Sequence, residues 1–177
     1  LCAERGVSIG HCPQSNLKLA SGFAPIERLR RAGANIAIGT DGCASNNDLD
    51  MFDEMRSAAL LAKAVAGDAT AMDAASALHA ATLGGARAIG LGERIGSIEP
   101  GKEADLICVR LDGIESLPVY DPISNLVYAT GRHQVSDAWI AGRHQLREGV
   151  LPDTDLAALA AKARRWGQRI AAVRARN

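Results

Sequence analysis

The sequence has no excess of either charge. Twenty basic residues balance twenty acidic ones for a formal net charge of zero, which leaves no electrostatic footprint for nucleic acid or an anionic membrane surface and favours a small, uncharged partner. No apolar run approaches the roughly 18 residues of a membrane span, and no charged, apolar, then small-residue pattern opens the chain, so a cytoplasmic location is expected. The cysteines, Cys2, Cys12, Cys43 and Cys108, have no C-x-x-C spacing. A disulfide framework and a thiolate zinc site are therefore unsupported, and reduced, partly buried thiols are expected. Internal repeats and low-complexity tracts are absent. The first residue is Leu1, not Met, and Leu1 to Gly6 reads as the tail of a helix, which suggests the C-terminal piece of a longer protein.

What is present is a chain of 177 residues, 47% apolar, enough for one domain with a proper core. Val7 to His11 reads as a strand, followed by a long turn-rich loop from Cys12 to Gly22. Pro25 opens a short helix with Ile26 and Leu29 on one face, basic residues near its end and Gly33 after it. Ile36-Ala-Ile-Gly-Thr-Asp-Gly-Cys-Ala-Ser-Asn-Asn47 is a second buried strand that stops at an acid and runs into small polar residues. Asn47 is the expected N-cap of a helix with Leu49, Phe52, Met55, Ala59 and Ala62 as its stripe. Another helix is expected from Thr70, with Thr70-x-x-Asp73 as a capping box, to about Gly90, and Gly84-Gly85 suggests close packing. Strands alternating with helices imply right-handed βαβ units and a parallel sheet, with functional residues in the loops after the strands.

Texture changes near residue 95. Glu99-Pro-Gly-Lys102 is a turn, Ala104 to Leu111 a strand, and Val135 to Ile140 pairs with Arg143 to Glu148 as a hairpin across Ala141-Gly142. This reads as β-rich material without intervening helices. Past Pro152, Asp155 to Arg176 is an alanine-rich helix. The expected divisions are thus residues 1–95, 96–150 and 151–177.

Asp41 is the principal candidate for chemistry. A carboxylate leaving a buried strand serves either as a loop brace beside Gly42 or as a metal-bound, general-base group. Ser45, Asn46 and Asn47 most simply form the turn and cap. His11 suits a hydrogen-bonded packing role, and His79, His133 and His144 are scattered and read as structural or exposed.

Three motifs in order carry a resemblance: His11-Cys-Pro-Gln-Ser-Asn16, Gly39-Thr-Asp-Gly-Cys-Ala-Ser-Asn-Asn47 and Gly96-Ser-Ile-Glu-Pro-Gly-Lys-Glu-Ala-Asp-Leu106. With Pro118 to Tyr128 they resemble the C-terminal portion of the metal-dependent amidohydrolases, in the 5-methylthioadenosine/S-adenosylhomocysteine deaminase and triazine hydrolase group. The resemblance implies an α/β fold: strands seven and eight of a (β/α)8 barrel with their following helices, part of a small β-sandwich, and a C-terminal helix. It implies that Asp41 is at once metal ligand, proton shuttle and substrate contact, with one divalent ion, zinc first, iron or manganese also suiting. His11, Ser15 and Asn16 become pocket wall or loop bracing.

The implied reaction is hydrolytic deamination of S-adenosylhomocysteine or 5-methylthioadenosine. Hydroxide adds at C6 and ammonia leaves, giving the inosine form. Guanine or 8-oxoguanine deamination and triazine dechlorination are alternatives within the superfamily, and an inactive barrel fragment that only binds a partner is the alternative outside it. A homodimer is the family-level expectation. The His-x-His pair and further histidines of the implied metal site have no counterpart in this sequence. Nor does it contain the H-x-E and P-C-x-x-C pattern of the other zinc deaminase fold.

Overall fold

A computed structural model describes residues 1–175. Strand β1 (Ile9–His11) pairs in parallel with β2 (Ile36–Ile38), with Ile9 opposite Ile36 and His11 opposite Ile38. The ladder extends one step further, since the Gly39 N–H donates to the His11 carbonyl at 3.0 Å. Both strands therefore end at the same edge. Between them lie α1 (Pro13–Lys18) and α2 (Ile26–Arg31), which make the crossover a parallel pair requires.

The presence of α1 corrects the expected loop at Cys12 to Gly22. Pro13 occupies the first helical position, where its missing N–H costs nothing, and Lys18 lies in the last turn. Helix α2 begins one residue after Pro25, and Gly33 follows it at φ 84°. Residues Leu1 to Gly6 form hydrogen-bonded turns, with Arg5 N–H donating to the Leu1 carbonyl.

Helix α3 (Met51–Ala66) buries Met55, Ala58, Ala59 and Ala62. Its cap is Asp50, whose carboxylate accepts the Phe52 N–H at 2.9 Å, and Leu49 lies outside it, 44% exposed. The expected cap, Asn47, instead donates its amide to the Cys43 carbonyl. The helix expected from Thr70 to Gly90 is two helices, α4 (Ala74–Ala81) and α5 (Leu83–Ala88), broken at Thr82. Asp73 caps α4 by accepting from Ser76 N–H, while Thr70 lies in a turn and bonds Asp68. Gly84 lets α5 touch the sheet: a Cβ there would lie 2.4 Å from the Ile36 carbonyl oxygen.

Strand β3 (Leu106–Val109) pairs antiparallel with β4 (Val135–Ile140), which forms the expected hairpin with β5 (Arg143–Leu146). Ala141 and Gly142, at φ 49° and 75°, supply the left-handed pair that a two-residue hairpin turn demands. Helix α6 (Pro122–Tyr128) and a 3₁₀ turn at Arg132–Gln134 separate β3 from β4, so this segment does contain helix. Asp121 caps α6 and Pro122 opens it. Val127 of α6 is fully buried in the cluster that holds Ile26, Ile36, Ile38, Met55 and Met72. The last element is α7 (Leu156–Arg174), capped by Asp155, with no buried residue. Arg176, the last residue of the expected helix, lies outside the described residues. Among the described residues, no helix is long and apolar enough to cross a membrane.

Candidate active site

The shared edge of β1 and β2 brings together the segments that follow each strand. Asp41 comes three residues after β2 and is exposed, with its backbone at φ 61°. Aspartate tolerates this left-handed conformation better than most residues. Two hydroxyls hold it. Ser15 Oγ of α1, buried, donates to Asp41 Oδ2 at 2.8 Å, and Ser45 Oγ donates to the same oxygen at 2.6 Å. Both serines thus leave Oδ1 free of them. Their hydrogen bonds, Ser45 foremost, then Ser15 and the Gly42 backbone, hold the Asp41 carboxyl below its ordinary range, so it is ionised near neutrality.

Behind Asp41 lies a second carboxylate. Glu54 of α3 is fully buried. One of its oxygens accepts the Gln14 N–H at 3.2 Å, and the other accepts the Asn46 side-chain amide. Asn46, itself buried, accepts the Asp48 and Leu49 N–H groups on Oδ1, each at 3.1 Å, which fixes its amide toward Glu54. Burial pushes the Glu54 carboxyl up. Cys12, half-buried at the start of α1, has its thiol raised by burial, then by the charges of Asp41 and Glu54. The other cysteines are exposed, so partial burial holds for Cys12 alone.

His11 is buried at the end of β1 and its pKa is lowered by burial, which keeps the imidazole neutral. It lines a small cavity with Pro13, Asn16 and Phe23. His79 and His133 are exposed, and His144 bonds Asp137 and stacks on Trp139 at 4.3 Å. Ser15 is thus a brace of Asp41. Glu54 escapes a reading by motif, although an acid four residues before Ala58, on the otherwise apolar buried face of α3, is its sequence signal.

Asp41 offers one oxygen ligand of the hard, anionic type that suits a divalent ion. Among the described residues, the three-residue group with metal-ligand proximity is Asp48, Asp50 and Asp53, and it excludes Asp41. That group is committed elsewhere: Arg132 pairs with Asp48 at 2.6 Å, Arg56 with Asp53 at 2.7 Å, and Asp50 caps α3. Asp41 therefore fits a metal as a single ligand of a larger set.

Comparison with known proteins gives a consistent answer. The model of the amidohydrolase family matches residues 1–144. The chain is 48% identical to a 5-methylthioadenosine/S-adenosylhomocysteine deaminase of Teredinibacter turnerae, over 98% of the chain and 39% of that relative. It superposes with TM-score 0.95 and 65% identity on a zinc-bound crystal structure of an adenosine deaminase from Xanthomonas campestris, covering 97% of the chain and 39% of that protein. The zinc complex of an atrazine chlorohydrolase from Arthrobacter aurescens matches at TM-score 0.82 and 30% identity, over 90% of the chain and 36% of that protein. The chain thus spans about two fifths of the length of these relatives.

Proposed function

Because this chain belongs to the amidohydrolase family and shares the α/β fold of its solved members, we propose that it carries part of the active site of a hydrolytic deaminase of adenosine derivatives. The proposed substrates are S-adenosylhomocysteine and 5-methylthioadenosine. Water replaces the amino group at C6, the ring carbon gains an oxygen, and ammonia departs. β1 and β2 are read as strands seven and eight of a (β/α)8 barrel. Residues 1–95 are read as barrel, 96–150 as sandwich and 151–177 as the C-terminal helix.

The observation that carries the reading is the state of Asp41. It is an exposed, ionised carboxylate at a parallel strand exit, with Oδ2 held by two serines. When bound, a divalent ion such as zinc lowers the pKa of its water to about 7 and so makes a nucleophile available near neutrality. Asp41 would be one ligand of that ion, and the proposal assigns the remaining ligands to the part of the relatives' fold that this chain does not span. Asp41 accepts the proton of the attacking water on its carboxylate and returns it to the departing amine. Ser15 and Ser45 keep the carboxylate in one orientation throughout, which supports transfer in both directions without a rotamer search.

Identity to the adenosine deaminase, 65%, against 30% to the chlorohydrolase, favours deamination over dechlorination. The test is turnover by the full-length protein on S-adenosylhomocysteine, methylthioadenosine, adenosine, guanine and a chlorotriazine, with Asp41→Asn beside the parent. Deamination of the adenosine derivatives that disappears in Asp41→Asn, with reduced zinc affinity and an intact fold, is the expected result. Turnover of guanine or triazine alone, or full activity of the variant, overturns the proposal.

A further inference from the structure

Glu54 has no counterpart in the proton transfers above, yet it is the fully buried carboxylate nearest to the support of Asp41. Its two hydrogen bonds go to two different segments. Gln14, whose N–H it accepts, precedes Ser15, and Asn46, whose amide it accepts, follows Ser45. Ser15 and Ser45 are the two donors to Asp41 Oδ2. The Gln14 side chain also donates to Ser57 Oγ, one turn along α3 from Glu54, at 3.2 Å. A second tie between the same segments, from Lys18 Nζ to the Ala44 carbonyl and Asn47 Oδ1, is exposed and correspondingly weak.

We infer that Glu54 is a positioning residue for Asp41, setting the separation and orientation of the two serine donors from within α3. The inference rests on the deaminase reading of Asp41. A carboxylate suits the post because each of its oxygens accepts one hydrogen bond and neither is called on to donate. Asn46 has no freedom to turn its amide over, since its carbonyl oxygen is occupied by the Asp48 and Leu49 N–H groups. Glu54→Gln therefore loses an acceptor that nothing nearby replaces: its new NH2 must face either the Asn46 NH2 or the Gln14 N–H. Asn46→Asp fails for the opposite reason, because two buried carboxylates then face each other. Made together, the two changes restore the pattern. The amide at position 54 accepts from Gln14 N–H and donates to the new carboxylate at 46, whose other oxygen keeps the two backbone N–H groups.

The experiment uses the full-length, zinc-loaded protein and the variants Glu54→Gln, Asn46→Asp and the pair. It measures kcat and KM for methylthioadenosine, zinc affinity by chelator competition, and the melting temperature. Each single change is expected to lower kcat and zinc affinity about tenfold, as loss of support behind a metal ligand does, with KM within about twofold. The pair is expected to recover both to within about threefold of the parent. Loss of melting temperature without loss of zinc affinity or kcat in the single variants overturns the inference, as does a folded pair that recovers neither. Should position 54 not tolerate change, Asn46→Ala keeps the Glu54 carboxylate and its Gln14 bond. Parental kcat and zinc affinity there overturn the inference, and a fall in both supports it. If the parent deaminates no adenosine derivative, the deaminase reading fails, and the chelator competition alone decides the role of Glu54.

Discussion

At the scale of single residues, two hydroxyls on different segments converge on one oxygen of Asp41, and the backbone beneath it is left-handed at φ 61°. Asparagine accepts that backbone and alanine resists it. Asp41→Asn is therefore expected to melt close to the parent and Asp41→Ala lower, a difference that thermal denaturation followed by circular dichroism will register. A second carboxylate is structural. Glu27 is buried and accepts from Arg30 Nε and Nη2, from Arg31 Nε and from the Met72 N–H. The Arg30 hydrogen bonds foremost, then the Met72 N–H and Arg31, hold its carboxyl down at about 2 against an ordinary value of 4.5. A folded-state value below the unfolded one means stability that is fully present above pH 4.5 and is lost as pH falls toward 2. Glu27→Gln is expected to cost about 2 kcal/mol at pH 7 and to flatten that acid slope, which urea melts across this pH range will measure.

At the scale of elements, caps decide where helices start. Asp50→Ala is expected to destabilise the fold by about 1 kcal/mol through the lost bond to Phe52 N–H, whereas Asn47→Ala, outside the helix, falls within about 0.5 kcal/mol of the parent. Chemical denaturation of the pair distinguishes them. Asn47, Asp48 and Asp50 are all of residue types that cap helices, and the choice among them falls to the loop, where Asn46 turns the chain and Arg132 draws Asp48 away. Helix α1 was hidden for a related reason, since six residues rich in turn formers become helical only when Ser15 and Gln14 find partners across the strand edge. Gly84 was legible as a close-packing residue, and its partner, the Ile36 carbonyl, was not. Gly84→Ala must push α5 off β2, with an expected cost of about 2 kcal/mol, readable in the same denaturation series.

At the scale of the whole molecule, large apolar side chains remain uncovered. On α7, Leu156, Leu159, Trp166, Ile170 and Val173 are each at least half exposed. Among the described residues the parallel sheet has two strands, and the chain spans about two fifths of its relatives' length. With Asp41 outside any three-residue ligand group among the described residues, the chain of 177 residues alone is expected to lose zinc on dialysis. Addition of a chelator is expected to leave its melting temperature unchanged. Stoichiometric zinc retained by this chain would refute the proposed division of the ligands.

Periodicity, caps and turn residues by themselves determined the βαβ order, the β4–β5 hairpin and the terminal helix. They also marked Asp41, because a carboxylate that ends an apolar run is out of place in any packed strand. These are local facts, set by dihedral preference and by which face of an element is apolar. Tertiary structure alone decided that Ser15 and Ser45, thirty positions apart in sequence, donate to one oxygen, and that Glu54 lies behind both. Such contacts arise when parallel strands end side by side, and no short-range pattern encodes that juxtaposition.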